Sequence, residues 1–379
     1  MSVSWPSPVV LAPLTKGGTL PFRRLCVDFG AQVTCSEMAY AHNLARGLGR
    51  ELALLRHHEV ETCFGVQIAA HKPELGAEGV RIALEHGAKW ADLNCGCPIH
   101  DTVKRGMGAR LLQRPQTLSE VTRAMVEAAG EVPITVKIRL GYREGRENAE
   151  EIGKRVQDAG ASALIVHGRT REQRYSRAAD WEAIGRLQRQ LDLPVYGNGD
   201  VLTWYEAEHR LKLSGAAGVM VARGALIKPW IFQEIAEGRE LCFDASARIE
   251  VYHRLATYMK DYFGDDEIGR KRTLFFLSWH FGFFCRYLPL PRETWEARSL
   301  EHPLMQTRDA SPSPHQLEDP LEAMLADGDS DLHRALAELL WDSPSPTQAI
   351  EAASVLAQQR RDEGAAPRSA GRVNSGGWG

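Results

Sequence analysis

The sequence lacks the features that mark secreted, membrane-spanning or strongly basic proteins. Seven cysteines in 379 residues are odd in number and too few for a disulfide framework. Cys26, Cys35, Cys63, Cys95, Cys97, Cys242 and Cys285 suit reduced thiols in a cytoplasmic enzyme. No apolar run reaches the ~18 residues needed to cross a membrane. The first residues show no charged region followed by an apolar stretch, which predicts no signal peptide. The formal charge is only −3, so no global basic field points to nucleic acid. RNA contact, if any, must come from local patches. Cys95-x-Cys97 has no second Cys or His pair at ligand spacing, which argues against a zinc knuckle, and no metal is expected. Gly47-x-Gly49 and Gly106-x-Gly108 lack the third glycine of a dinucleotide turn. No internal repeat is visible beyond an alternation of strands and helices.

That alternation is what the sequence does contain. Eight short apolar runs read as strands: Val9–Leu14, Gln32–Cys35, Phe64–Ala69, Ala91–Cys95, Ile134–Leu140, Ala163–His167, Pro194–Gly197 and Gly218–Val221. Helical periodicity fills the gaps, as in Pro73–His86, Thr117–Ala129, Ala149–Ala159 and Trp204–Leu213. Continuous apolar strands alternating with helices predict a parallel sheet covered on both faces. Eight such units have the size and count of a (β/α)8 TIM barrel. An open doubly wound sheet is the rival, but the first strand runs into Ala12-Pro13-Leu14 rather than a glycine-rich turn. The domain reading is a catalytic barrel over 1–240, a smaller C-terminal helical domain over 241–362 and a disordered tail over 363–379. Helices are expected over 245–288, 320–341 and 347–361, with a surface loop over 301–317. The stretch 252–287 is rich in aromatic and basic residues. Phe275, Phe276 and Trp279 read as core, while Arg270-Lys271-Arg272 is either an RNA contact or a solvated face.

In such a barrel the chemistry sits at the C-terminal strand ends. Here those ends carry Pro13-Leu14-Thr15, Glu37-Met38, Gln67, Asn94-Cys95-Gly96-Cys97-Pro98, Lys137-Ile138-Arg139, His167-Gly168-Arg169, Asn198-Gly199-Asp200 and Ala222-Arg223-Gly224. The last two ends suggest an anion site, where glycine lets backbone N–H groups approach a phosphate. Together with Gln67, Lys137 and His167, such a phosphate describes an FMN site. Lys137 would offset charge that builds on a reduced flavin. Cys95 reads as packing. Cys97 sits on the loop behind a rigid strand, where chemistry is commonly carried, and its task is left open by position alone.

These residues resemble the tRNA-dihydrouridine synthases, FMN-dependent reductases. The likeness runs from about Val9 to Phe232. Its motifs include Leu11–Thr15, Ser36-Glu37-Met38-Ala39, Phe64-Gly65-Val66-Gln67, Asn94–Pro98, Val136–Gly141, His167–Ser176, Gly197–Asp200 and Lys228–Phe232. The wording looks most like the branch that reduces uridine 47. The resemblance implies Cys97 as general acid. It implies FMN contacts at Pro13, Leu14, Thr15, Gln67, Lys137, His167, Asn198, Gly199, Asp200, Ala222 and Arg223, with Asn94 and Arg169 facing the substrate. It further implies NADPH as reductant, tRNA as partner and a cytoplasmic monomer. The alternatives are an FMN barrel reducing a small pyrimidine or enone, and a non-catalytic RNA-binding barrel. The acidic residues between Glu318 and Asp331 are expected to face away from RNA.

Overall fold

The computed structural model describes residues 5–288, 292–293, 317–365 and 368. Its centre is a ring of eight parallel strands: β1 (Val9–Leu11), β2 (Val33–Cys35), β3 (Cys63–Ala69), β4 (Trp90–Cys95), β5 (Ile134–Arg139), β6 (Ala163–His167), β7 (Val195–Asn198) and β8 (Gly218–Val221). Each strand pairs with the next in the chain. β8 returns to β1 with Val10 opposite Met220, which closes the barrel. All eight predicted strands are present. β1 is shorter than predicted, because Pro13 has no N–H with which to continue the ladder. Its last rung is Ala12 N–H donating to the Val221 carbonyl at 2.8 Å. The two-residue strand Ala39–Tyr40 and the hairpin Gly141–Arg143/Arg146–Glu147 were not foreseen. Both are too short to show periodicity.

The surrounding helices bury one face each. Pro115–Ala129 begins with proline, whose missing N–H costs nothing in the first turn, and buries Leu118, Val121, Thr122, Met125 and Ala129. The Asp180 side chain caps Trp181–Gln190. Thr203 and Glu206 cap Trp204–Ser214 reciprocally. The helix Leu20–Asp28 is tied to the barrel by a buried ion pair. Arg23 Nε donates to Glu61 at 2.7 Å, and Arg23 also reaches the Gly18 and Arg56 carbonyls.

Beyond residue 240 the described residues form the helices Ala245–Phe263, Glu267–Phe284, Pro320–Leu325, Ser330–Asp342 and Pro346–Asp362. The helix expected over 320–341 is broken in two around Asp327-Gly328. Asp319 and Asp329 cap the two pieces, Glu322 pairs with Arg248, and Asp327 pairs with Arg360 at 3.1 Å. Most of the acidic stretch therefore caps helices or pairs with cations. Phe275 corrects the core reading, for it is 57% exposed, whereas Phe276 and Trp279 are half-buried. Arg270 pairs with Asp342 at 3.1 Å. The loop expected over 301–317 lies outside the described residues except for Leu317. So does the tail over 363–379, except for residues 363–365 and 368.

Candidate active site

A cavity opens at the C-terminal end of the barrel, as the strand ends predict. Pro13, Leu14 and Thr15 line it after β1, Gln67 on β3, and Asn94 and Cys97 at the end of β4. Lys137, His167, Asn198, Gly199, Asp200, Ala222 and Arg223 complete it from β5 to β8. Arg169 is the one expected site residue that does not line it.

A chain of hydrogen bonds positions the cysteine. The carboxylate of Asp92 is buried inside the barrel and accepts from Thr135 Oγ1 at 2.6 Å and from Gln67 Nε2 at 2.8 Å. With its amide nitrogen turned to Asp92, Gln67 presents Oε1 to Asn94 Nδ2 at 2.7 Å. Asn94 Oδ1 is thereby directed to the N–H groups of Gly96 and Cys97, at 3.2 and 2.9 Å. Asp92 thus fixes the loop that carries the thiol. The loop also rests on Gly108, which has φ of +60°, where an added Cβ would stand 2.7 Å from the Cys97 carbonyl. Arg139 Nε donates to the Gly96 carbonyl at 2.9 Å. Sequence reasoning did not pick out Asp92. The available signal was a carboxylate in the middle of an apolar strand, a position seldom filled without a partner.

The opposite wall is basic. Lys137, Arg139 and Arg223 line the cavity, and among the described residues Asp200 is the only carboxylate to do so. Asp200 is already engaged, because Arg169 Nη2 donates to both of its oxygens at 2.7 and 2.6 Å. Arg169, fully buried, spends its other donors on the Arg177 carbonyl and on His167 Nε2. It thus holds Asp200 and His167 from behind the cavity wall. An arginine always donates, so His167 Nε2 must accept, and the imidazole carries its proton on Nδ1. Burial, then the charges of Arg139, Arg169 and Lys137, hold the His167 pKa well below its usual range, so the ring is neutral. Burial opposes ionisation of Asp200, but Arg169 and Arg223 outweigh it and keep the carboxyl below its ordinary value.

Arg223 lies over the Tyr175 ring at 3.9 Å and 3.6 Å from Asp200 Oδ1. Its buried Nη1 has no hydrogen-bond partner. Gly199, with φ of +123°, passes so close that an added Cβ would meet Ala179 at 2.6 Å and His167 at 3.1 Å. Lys137 Nζ finds Asn198 Oδ1 at 3.2 Å. This wall offers several unused donors and a backbone that a ligand can approach closely.

A family model described as dihydrouridine synthase matches residues 10–283, from the first barrel strand to the aromatic helix. The chain belongs to the dihydrouridine synthase family. Similar proteins are tRNA-dihydrouridine(47) synthases. One from Coprinopsis cinerea is 40% identical over 302 residues, 76% of this chain and 45% of that protein. One from Homo sapiens, named as synthase-like, is 40% identical over 284 residues, 74% of this chain and 43% of that protein. The chain spans less than half the length of these relatives. Among solved structures, a 2-naphthoyl-CoA reductase complex has a TM-score of 0.50 at 13% identity, covering 62% of this chain and 50% of that one. A morphinone reductase variant in complex with tetrahydroNAD also has a TM-score of 0.50, at 14% identity, covering 65% and 91%. These likenesses show the barrel fold.

In this member of the dihydrouridine synthase family, Cys97 lines the cavity at the end of β4. Burial pushes its thiol pKa up, against weaker downward pulls from the Ile99 N–H, Thr102, Arg139 and Lys137. Its Sγ lies 3.9 Å from Thr102 Oγ1. The thiol is therefore protonated at neutral pH. Lys137 moves the other way. Burial, then Arg139, lowers it to about 8, while Asp92 resists.

Proposed function

We propose that the chain reduces the C5=C6 bond of a uridine in tRNA to 5,6-dihydrouridine, with uridine 47 as target. The observation that carries this reading is one cavity holding both a half-buried, protonated Cys97 thiol and an anion cradle with unused donors. FMN fits the cradle. The orphaned Arg223 Nη1 and the close approach at Gly199 suit its phosphate. Lys137, with a single partner, suits the electron-rich edge of its ring. Pro13, Leu14, Thr15, Gln67, His167, Asn198, Asp200 and Ala222 would complete the contacts.

When bound and reduced by NADPH, FMN supplies a hydride to C6 of the uracil. Cys97 holds the matching proton. Its S–H bond breaks as a C–H bond forms at C5, and hydride plus proton complete the saturation. Arg139 and Lys137 bear on the thiol in the direction that stabilises the thiolate left behind, until solvent reprotonates it. Asn94 holds the Cys97 N–H and so keeps the donor in place. The uridine must leave its RNA stack to enter, as bases do in other base-modifying enzymes.

The names of the relatives support both the tRNA substrate and the nicotinamide reductant. In the proposed reading, residues 1–240 carry the chemistry and 241–362 help to hold the RNA. The same reading makes the protein a cytoplasmic monomer. In its support, the exposed large apolar residues are only Val60, Leu213, Ile268, Phe275 and Val355 among the described residues, and no described helix is long and apolar enough to cross a membrane.

The test is anaerobic absorbance spectroscopy. The flavin band bleaches with NADPH and returns when unmodified tRNA is added. In Cys97→Ala bleaching persists, while dihydrouridine formation falls by about 10²–10⁴-fold, the usual worth of a general acid. Near-normal turnover by that variant would remove Cys97 from its role. A flavin that ignores tRNA would favour a small-molecule reductase.

A further inference from the structure

Beside the reaction cavity, the same end of the barrel carries a second, open cleft of about 520 Å³. Its walls come from the loops after β3, β4, β5 and β6. Lys104, Arg105, Arg110, Arg114 and Arg171 line it, and no Asp or Glu among the described residues does. Among the described residues, no ion pair holds any of the five. In a chain with a net charge of −3 this is a local reversal of sign. Like charges gathered without counter-ions repel, and a polyanion relieves that repulsion.

Two details show that the cleft is built rather than a chance of the surface. Arg171 is set over the Tyr142 ring at 5.0 Å, and its buried Nε has no hydrogen-bond partner. The wall from His100 to Arg114 is also the direct continuation of the reactive loop, because Ala109 N–H donates to the Cys97 carbonyl at 3.0 Å. The cleft wall is thereby continuous with the loop that carries the thiol. A lone phosphate is satisfied by two or three donors. Five cations spread over two loops fit consecutive phosphates of one strand, four of them with the forked geometry of arginine.

We propose that this cleft is a phosphodiester track, holding the RNA strand that delivers the uridine to the cavity. The proposal rests on the reading of the chain as an RNA-uridine reductase. Phosphate contacts set register without reading sequence, so the track positions the strand rather than selecting the base.

The test uses the full-length, FMN-loaded protein and an unmodified tRNA transcript, with affinity measured across a range of NaCl concentrations. In Arg105→Gln/Arg110→Gln/Arg114→Gln, tRNA affinity at 0.1 M salt falls about 10–100-fold and the log–log salt slope drops by about 2–3. FMN content and the rate of bleaching by NADPH stay at wild-type values. The triple arginine-to-lysine variant at the same positions keeps most of the slope. A wild type that reduces tRNA, beside a glutamine variant with unchanged affinity and slope, overturns the track alone. So does a loss confined to the NADPH step, which would assign the cleft to the phosphates of the dinucleotide. A wild type that binds no tRNA overturns the track and the RNA reading together.

Discussion

Lys137 shows how one residue ties the fold to the chemistry. Its ammonium is half-buried on β5 between the pull of Asp92 and the push of Arg139, and loss of water around it lowers its pKa to about 8. Only the charged form attracts an anionic ligand, so the charge is present below that pKa and lost as the pH rises through it. FMN affinity of the flavin-free protein, followed by flavin fluorescence, should be level below pH 8. Above it the affinity should weaken by up to about tenfold per pH unit. Lys137→Met should bind FMN more weakly and with no such pH dependence. A wild-type profile that stays level to pH 10 would remove Lys137 from flavin binding. Lys137 and Cys97 were legible in the sequence, because a lysine on an apolar strand and a thiol on a strand-end loop are both out of place. Arg169 was legible as a polar residue at a strand end, but its contacts were not. Sequence order cannot reveal that its guanidinium turns inward to grip Asp200, nor that Asp92 reaches Cys97 through two amides.

At the scale of elements, the barrel and its eight strands could be read directly, since each strand is an apolar run with a helix to follow. The trimming of β1 at Pro13 and the break at Asp327-Gly328 depend on single backbone positions that periodicity averages away. The anchoring of Leu20–Asp28 could not be read at all, because Arg23 and Glu61 are far apart in sequence. In the fold, Glu61 accepts from Arg23, Thr34 and the His58 N–H with neither charge exposed to water. Removing one partner strands the other. Glu61→Gln should therefore cost about 3–5 kcal/mol in chemical denaturation. Arg155→Ala, which breaks the exposed pair with Glu151, should cost no more than about 0.5 kcal/mol. Equal losses in the two variants would mean that the buried pair does not anchor the helix.

For the whole molecule the question is whether the barrel and the C-terminal helices melt together. One apolar cluster runs from Val9 on β1 to Ala357 on the last helix. Trp230 packs on Phe243 at 4.6 Å and on Tyr287 at 5.3 Å, and Phe22 meets His280 at 4.9 Å. His280 is fully buried at this seam, and neither ring nitrogen has a hydrogen-bond partner. Burial lowers its pKa to about 3. Between about pH 6.5 and 3 the unfolded chain takes up a proton at this position that the folded chain refuses, so stability falls as the pH falls. At pH 5 the penalty is ~2 kcal/mol, and at pH 8 it vanishes. His280→Phe removes the titrating group. Its thermal midpoint, relative to wild type, should therefore be higher at pH 5 than at pH 8. With a continuous core the gain should appear as a shift of one cooperative transition, seen alike by calorimetry and by the fluorescence of bound flavin in the barrel. If only a separate, flavin-silent transition moved, the helices would be an independent unit docked on a self-sufficient barrel.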